Sequence, residues 1–335
     1  MHPVLFHIPT PWGAIPLYSY GVMLGTSLII GWYFVMWAGV RKEGIDREVL
    51  ANTFIYTAIT AIVGSRILYI ITNPGEFDSP GDWFRFRQGG LVAYGGFLGG
   101  FIGAYYYLHR KKIPFLAFAD IAVPTLGTGL LFTRIGCWLY GCDFGRPLAE
   151  DAPDFLQSLG TFPHWDFSTS PELACDNSMT GSPAWNHHRL EYDLPADAPT
   201  SLPAHPTQIY ESIAGALLFA ATFTVLQKRR FRGQVLTIGA ALYALWRFGI
   251  EFVRDDPERG SAFGLSTSQL ISLLILPACA FSYWWIRRRY LEEGDAPIPA
   301  HARVGAKAEA EAKLAQTEAE KPSASVRKRK KRKKR

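Results

Sequence analysis

Three arginines lie inside stretches that otherwise read as membrane-spanning helices: Arg66 in SRILYIIT, Arg134 in LLFTRIGCWLYG and Arg247 in LYALWRFGIEFV. An arginine at the centre of an inserted helix costs roughly 3 kcal/mol on insertion scales, so it is retained where it faces a wet cavity or an anionic partner. In a lipid environment the obvious anionic partner is a phosphate. Tyr243, Arg247 and Glu251 recur every four residues and share one helical face. Two readings of that face stand side by side. One is an Arg247–Glu251 ion pair that only neutralises two buried charges. The other is an external anion shared by Arg247 and Arg134, which has no acidic residue one turn away in its own span; this satisfies both arginines better.

These residues must be positioned by apolar helices. Hydrophobic residues make up 48 % of the 335, yet the mean hydropathy is only +0.04, so the apolar material is concentrated in segments. Seven runs are long enough to cross about 30 Å of hydrocarbon, near residues 18–40, 50–72, 89–108, 115–140, 207–226, 233–253 and 265–286. The chain therefore reads as an all-α integral membrane protein with seven transmembrane helices. Basic residues cluster after the first, third, fifth and seventh runs: Arg41, Lys42 and Arg47; Arg110, Lys111 and Lys112; Lys228, Arg229, Arg230 and Arg232; Arg287, Arg288 and Arg289. The positive-inside rule then puts the N-terminus outside and the C-terminus in the cytoplasm.

That topology converts positions into depths. Tyr20, Tyr94, Gln208, Tyr210 and Glu211 fall near the outer starts of their runs, and Arg66, Arg134, Tyr243, Arg247 and Glu251 in the outward halves of theirs. All converge near the outer leaflet, whereas a conduction path would continue across the midplane. Asp120 is the exception, at the cytoplasmic start of the fourth run, where it is expected to bond locally or cap that helix.

Residues 143–204 form an extracytoplasmic insertion too long for a simple connection. It holds His164, His187 and His188 without cysteine or carboxylate partners at metal-ligand spacing, and reads as a substrate-access or shielding region. Cys137 and Cys142 are not spaced as CxxC and read as small buried residues; Cys175 would pair with Cys142 only on an oxidising side. No metal or cofactor is expected. In GGLVAYGGFLGGFIGA, Gly95, Gly99 and Gly103 recur every four residues, as do Gly96 and Gly100, which lets helices approach closely. Gly95 and Gly96 also clear space beside Tyr94 for a bulky ligand. Pro206 stands where a helix would begin, and His205 lies at the membrane surface with a side chain that titrates near neutral pH.

Residues 291–335 read as a disordered cytoplasmic tail. Its last nine residues, Arg327 to Arg335, are all basic; without them 26 basic residues face 29 acidic ones. Behind a membrane domain such a run is expected to touch anionic lipid headgroups, with no specific nucleic acid. No cleavable signal peptide is evident at the start, so the first run itself would target the chain to the membrane.

Over roughly residues 15–290 the chain resembles the bacterial prolipoprotein diacylglyceryl transferases. The resemblance rests on the YSYG segment at Tyr20, VGSRILY at Arg66, GGLVAYGG, RIGCWLYGCDFG with Arg134, HPTQIYE from His205, and the Tyr243, Arg247, Glu251 pattern. It implies an enzyme of the bacterial cytoplasmic membrane and of lipoprotein biosynthesis. Such an enzyme transfers the diacylglyceryl group of phosphatidylglycerol to the lipobox cysteine thiol of a preprolipoprotein, releasing glycerol 1-phosphate. It also implies that Arg134 binds phosphatidylglycerol, with Gly145 retained at a family position.

The residues fit that reaction. Guanidinium groups of Arg134 and Arg247 would neutralise charge developing on the leaving phosphate. Tyr20, Arg66, Gly96, Gly145, Gln208 and Tyr243 join Arg134 as candidate substrate-binding residues. Tyr94 stands where the family carries histidine, and a phenol is a poor base at neutral pH, so it is read as orienting a phosphate. Help for the thiol then falls to His205 or Glu251, or to the field of the arginines. Cys137, Tyr140 and Cys142 replace two asparagines and a glutamate of the family pattern, departures of the kind a divergent paralogue carries. Asp143 is adjacent to the lost carboxylate, but on a continued helix its side chain would point elsewhere. A relative that binds lipid or lipoprotein without this chemistry is the alternative.

Overall fold

A segment surrounded by hydrocarbon must satisfy its backbone polar groups internally, which an uninterrupted apolar run does by coiling into a helix. The computed structural model describes residues 3–11, 13–77, 79, 81, 83, 90, 92–165, 181–255 and 261–306. The chain opens with an antiparallel hairpin, β1 (Val4–Thr10) and β2 (Gly13–Tyr18), and continues into α1 (Ser19–Ala38), α2 (Arg47–Thr72), α3 (Ala93–Arg110) and α4 (Phe115–Tyr140). Two short helices come next, α5 (Asp154–Gly160) and α6 (Pro183–Glu191), then α7 (Thr207–Lys228) and α8 (Gln234–Ile250). A hairpin of two-residue strands, β3 (Ser261–Ala262) and β4 (Leu265–Ser266), leads into α9 (Thr267–Glu293).

A helix stands at each of the seven apolar runs. Among the described residues five helices are long and apolar enough to cross a membrane: α1 extended through Glu43, α2, α4, α7 and α9; α8 is apolar but shorter, at 17 residues. The protein is a mainly helical membrane protein. Cys175 and its expected pairing, and the basic run at Arg327–Arg335, lie outside the described residues.

The chain forms two compact units, one of Met1–Val35 with Leu116–Asp295, the other of Met36–Phe115 with Ala296–Arg335. In the second, α2 and α3 pack through one glycine row. A Cβ at Gly95 would collide with the Gly64 carbonyl, at Gly99 with the Thr60 carbonyl, and at Gly103 with the Thr60 side chain. The other row is looser: a Cβ at Gly96 would meet the Ala61 carbonyl oxygen at 3.7 Å, an ordinary contact. Residues beyond α9 do not leave the fold at 291 as expected. Asp46 donates its N–H to the Ala302 carbonyl at 2.8 Å and Val304 to that of Gly44 at 2.9 Å, with Ile298 and Ala302 buried. Small apolar side chains in PIPAHA give this stretch something to bury.

In the first unit, α4 and α7 cross at opposed glycines: a Cβ at Gly127 would lie 2.5 Å from the Phe219 nitrogen, and one at Gly215 2.5 Å from that of Leu131. Asp120 does not cap its own helix. Fully buried, it accepts from the N–H groups of Gly233 (2.8 Å) and Leu236 (2.9 Å) and pairs with Arg229 at 3.1 Å. The first N–H groups of a helix lack intrahelical acceptors. Gly233, with φ +94°, supplies no capping side chain to α8, so α4 supplies it.

The described part of the insertion has its own small core of Phe144, Phe162 and Ala184, with Trp138 against it. Ser182 caps α6 by accepting from the Trp185 N–H, and the indole of Trp185, fully buried, donates to the Ala198 carbonyl at 2.9 Å. The histidines are used in packing. His164 lies 4.5 Å from the Trp185 ring, His187 pairs with Asp255 at 3.1 Å, and His188 is fully buried against Phe144 and Tyr192. Burial, then the neighbouring His187, holds the His188 imidazole down to about 4 from an ordinary 6.5. Between those values the unfolded chain takes up a proton that the folded protein refuses, so stability falls as pH drops through that window. Thermal unfolding from pH 7 to 4.5 is expected to show a steeper fall in Tm for the native protein than for His188→Phe.

Candidate active site

Arg134 sits in the last two turns of α4, and the reversal of the chain beyond that helix determines its surroundings. Gly141 (φ +82°) ends the helix in the left-handed conformation that favours glycine. Its N–H and that of Cys142 both donate to the Cys137 carbonyl, at 2.8 and 3.1 Å. Asp143 is also left-handed (φ +58°), a conformation that aspartate tolerates better than most residues. These two residues turn the chain back on the helix end. The Asp143 carboxylate therefore reaches Arg134 Nη1 at 2.6 Å and Cys137 Sγ at 3.4 Å. This corrects the expectation that Asp143 points elsewhere: the helix has already ended.

The first turn of α7 fixes the reversal from below. Thr207 donates through Oγ1 to the Asp143 carbonyl and Gln208 through Nε2 to that of Cys142, both at 2.7 Å. Gln208 is completely buried. Gly145 then enters a three-segment junction. It pairs with Arg254 in an isolated bridge and donates to the His205 carbonyl at 2.9 Å. A Cβ at Gly145 would lie 2.5 Å from the Val253 carbonyl oxygen and 2.6 Å from the His205 Cβ. Gln208 and Gly145, both expected to bind substrate, are thus placed as supports of the turn.

That junction delivers Arg254, a residue the sequence reading missed. Its Nη2 meets Asp143 Oδ1 at 2.6 Å and its Nη1 meets Glu211 Oε2 at 3.2 Å, while Arg134 Nε reaches the same Glu211 oxygen at 2.6 Å. Arg134, Asp143, Arg254 and Glu211 close a neutral ring of two guanidiniums and two carboxylates. Arg134 accordingly has acidic partners from other segments. The ring is sealed on one side and open on the other: the side chains of Arg254 and Glu211 are 1 and 2 % exposed, those of Arg134 and Asp143 18 and 25 %. Burial alone would raise the Asp143 carboxyl, but the guanidiniums of Arg134 and Arg254 hold it well below the usual carboxylate range. Arg134 uses Nη1 toward Asp143 and Nε toward Glu211, and with Asp143 it forms the ring's open half.

Arg247 forms the ion pair with Glu251 that one sequence reading anticipated, at 2.7 Å, and donates to Ser268 Oγ of α9 at 2.8 Å. Glu251 is thereby engaged as a counter-ion, which weakens its case as a base. Tyr243, on the same face of α8, is half-exposed and lines an apolar groove of about 200 Å³ with Leu130, Leu217, Leu218, Leu242 and Trp246. Leu130 precedes Arg134 by one turn, so the groove runs beneath the charged ring's helix face. Tyr20 packs on Gly136, where a Cβ would lie 3.2 Å from the Tyr20 ring, beside Cys137. The His205 ring faces Tyr210 at 6.3 Å, and burial pushes its imidazole below the ordinary value.

Arg66 and Tyr94 belong to the other unit. Arg66 donates to the carbonyls of Trp83 and Gly90, at 2.9 and 3.0 Å, and lies over the rings of Phe77 and Tyr69. Glu211 is paired with Arg134 and Arg254, and Glu251 with Arg247. Tyr94 is exposed near the start of α3. Cys137, Cys142 and Asp143 offer two thiols and a carboxylate whose ligand atoms lie within 4.8 Å of one another. Their linear spacing hides this, because only the reversal at Gly141 and Asp143 brings them together.

Residues 3–285 match the family described as prolipoprotein diacylglyceryl transferase. The phosphatidylglycerol–prolipoprotein diacylglyceryl transferase 2 of Clostridium perfringens is 32 % identical over 265 residues, covering 78 % of this chain and 88 % of its own. The transferase of Clostridium tetani is 29 % identical over 276 residues, 82 % of this chain and 94 % of its own. That of Erwinia tasmaniensis is 29 % identical over 297 residues, 86 % and 93 %. On a family match that takes in both the charged ring and the paired Arg247, the chain belongs to the prolipoprotein diacylglyceryl transferase family.

Proposed function

We propose that this chain transfers the diacylglyceryl group of phosphatidylglycerol to the lipobox cysteine of prolipoproteins, releasing glycerol 1-phosphate. The observation that carries the reading is the half-open ring, in which Glu211 and Asp143 hold the Arg134 guanidinium still while its side chain stays 18 % exposed. A preorganised donor of this kind stabilises charge that develops on a leaving phosphate without reorganising during the step. The acceptor sulfur attacks the glycerol carbon, the carbon–oxygen bond to phosphate breaks, and its electron pair stays on the leaving oxygen. An acyl chain of the donor fits the apolar groove between α4, α7 and α8.

In this reading all seven helices span the bacterial cytoplasmic membrane with the N-terminus outside, so that the ring lies at the outer leaflet. The lysine- and arginine-rich connections after α1, α3 and α7, and Arg287, Arg288 and Arg289 in the second half of α9, support that orientation. Acyl-labelled phosphatidylglycerol incubated with purified protein should label a lipobox peptide bearing cysteine and not its serine counterpart; equal labelling of both, or of neither, would contradict the assignment. Tyr94 enters as a phosphate-orienting phenol: Tyr94→Phe is expected to lower transfer while Tyr94→His is tolerated, and initial rates with both variants check the order.

A further inference from the structure

The transfer reading leaves one chemical requirement unmet. A free thiol with a pKa near 8.5 is only about 3 % ionised at pH 7, and of the candidate bases Glu251 is bound to Arg247, the His205 ring faces Tyr210 and Tyr94 is a phenol. Two protein thiols stand instead beside Arg134. Cys137 directs its S–H at Asp143 Oδ2, at 3.4 Å, and the Cys142 sulfur is folded back over the same helix end. Tetrahedral zinc, with bonds of about 2.3 Å to sulfur and 2.1 Å to oxygen, sets a sulfur and an oxygen ligand about 3.6 Å apart and two sulfurs about 3.8 Å apart. The three donors already lie within 4.8 Å of one another.

We propose that Cys137, Cys142 and Asp143 bind a thiophilic divalent cation, best matched by zinc, and that its open fourth position binds and ionises the acceptor cysteine. The proposal rests on the transfer reading for the identity of that thiol. The cation enters where the Cys137 proton now bridges sulfur and carboxylate; the protons of both thiols leave as it binds. Charge stays balanced, since Arg134 and Arg254 offset Asp143 and Glu211, and a dication offsets two thiolates. Three protein ligands with one open position is the arrangement of catalytic zinc, and a thiol on the metal gives up its proton. Coordinated sulfur then attacks the glycerol carbon, the phosphate leaves with the bonding electron pair beside Arg134, and the thiol proton passes to solvent.

Gly141 and Asp143 in left-handed conformations are what make three donors so close in sequence converge on one point. The reversal also accounts for Thr207 and Gln208 being committed to the carbonyls of Asp143 and Cys142, because ligands must be held by a second layer of contacts.

The test uses purified, reduced full-length protein titrated with Cd²⁺ or Co²⁺. The expected result is uptake of one equivalent with thiolate-to-metal charge-transfer absorption, displaced by Zn²⁺. Cys137→Ser and Cys142→Ser, checked for folding by thermal unfolding, should each lose that band. A lipobox peptide with cysteine should intensify it as a third thiolate binds, and the serine peptide should not. Stripping the metal should lower transfer at pH 7 by about 30-fold and make the rate climb toward pH 8.5, as expected for a free thiol. No uptake by folded, reduced protein, or equal uptake by the folded double variant Cys137→Ser/Cys142→Ser, would overturn the site. Thioether formation by protein that takes up no metal would overturn the site and leave the transfer standing. Metal and peptide-thiol binding without any thioether would keep the site and remove the transfer.

Discussion

Replacing Arg134 by alanine is expected to lower turnover by about 10² to 10³, the usual consequence of removing one preorganised donor from a developing oxyanion. The loss should appear in kcat more than in KM. Groove contacts that hold the acyl chains are the same in ground and transition states, whereas the charge on the leaving phosphate grows only in the transition state. Arg134→Lys should recover little. Lysine keeps the charge but cannot hold Glu211 and Asp143 while presenting a further donor, as the guanidinium does. Initial rates across a phosphatidylglycerol titration check this, and unchanged kcat in Arg134→Ala would remove the residue from the site.

Arg254→Met should act on stability first. Arg254 is the most enclosed member of the ring, with its side chain 1 % exposed, and its loss leaves Glu211 and Asp143 sharing one guanidinium. Removing one partner of a buried ion pair costs on the order of 3–5 kcal/mol, because the charge left behind is uncompensated. Adding Asp143→Asn restores neutrality around Arg134 and Glu211 and should return part of the lost stability. Thermal unfolding of the single and double variants provides the comparison: a double variant no more stable than Arg254→Met would mean the ring is not governed by charge balance.

The parts of this site that the sequence displays are those set by regular geometry. Apolar runs announced the helices, and the spacing of Arg247 and Glu251 offered their ion pair as one of two readings, because side chains four apart on a helix lie close together. Arg134 stood out because an arginine among apolar residues demands a partner. Its partners did not stand out. Asp143 reaches it only because the backbone reverses at Gly141 and Asp143, and the glycine was the one visible sign that the helix ends there. Arg254 comes seven residues after Arg247, two helical turns on, but α8 stops at Ile250 and the arginine arrives through a bridge with Gly145. Asp120 shows the same limit: local bonding or capping of its own helix was expected, whereas it serves the start of α8. Helix faces are local properties, whereas the ring and the thiol cluster are made by turns that join distant segments.

Measuring both products of one reaction at once gives the sharpest check on the transfer. Phosphatidylglycerol labelled in its headgroup glycerol is incubated with the protein and a lipobox peptide, and the peptide mass is read alongside the released label. The expected result is one diacylglyceryl group on the cysteine sulfur for each glycerol 1-phosphate released, with both products falling together by about 10² to 10³ in Arg134→Ala. Folded native protein that leaves the peptide mass unchanged, or that releases glycerol 1-phosphate without thioether, would contradict it.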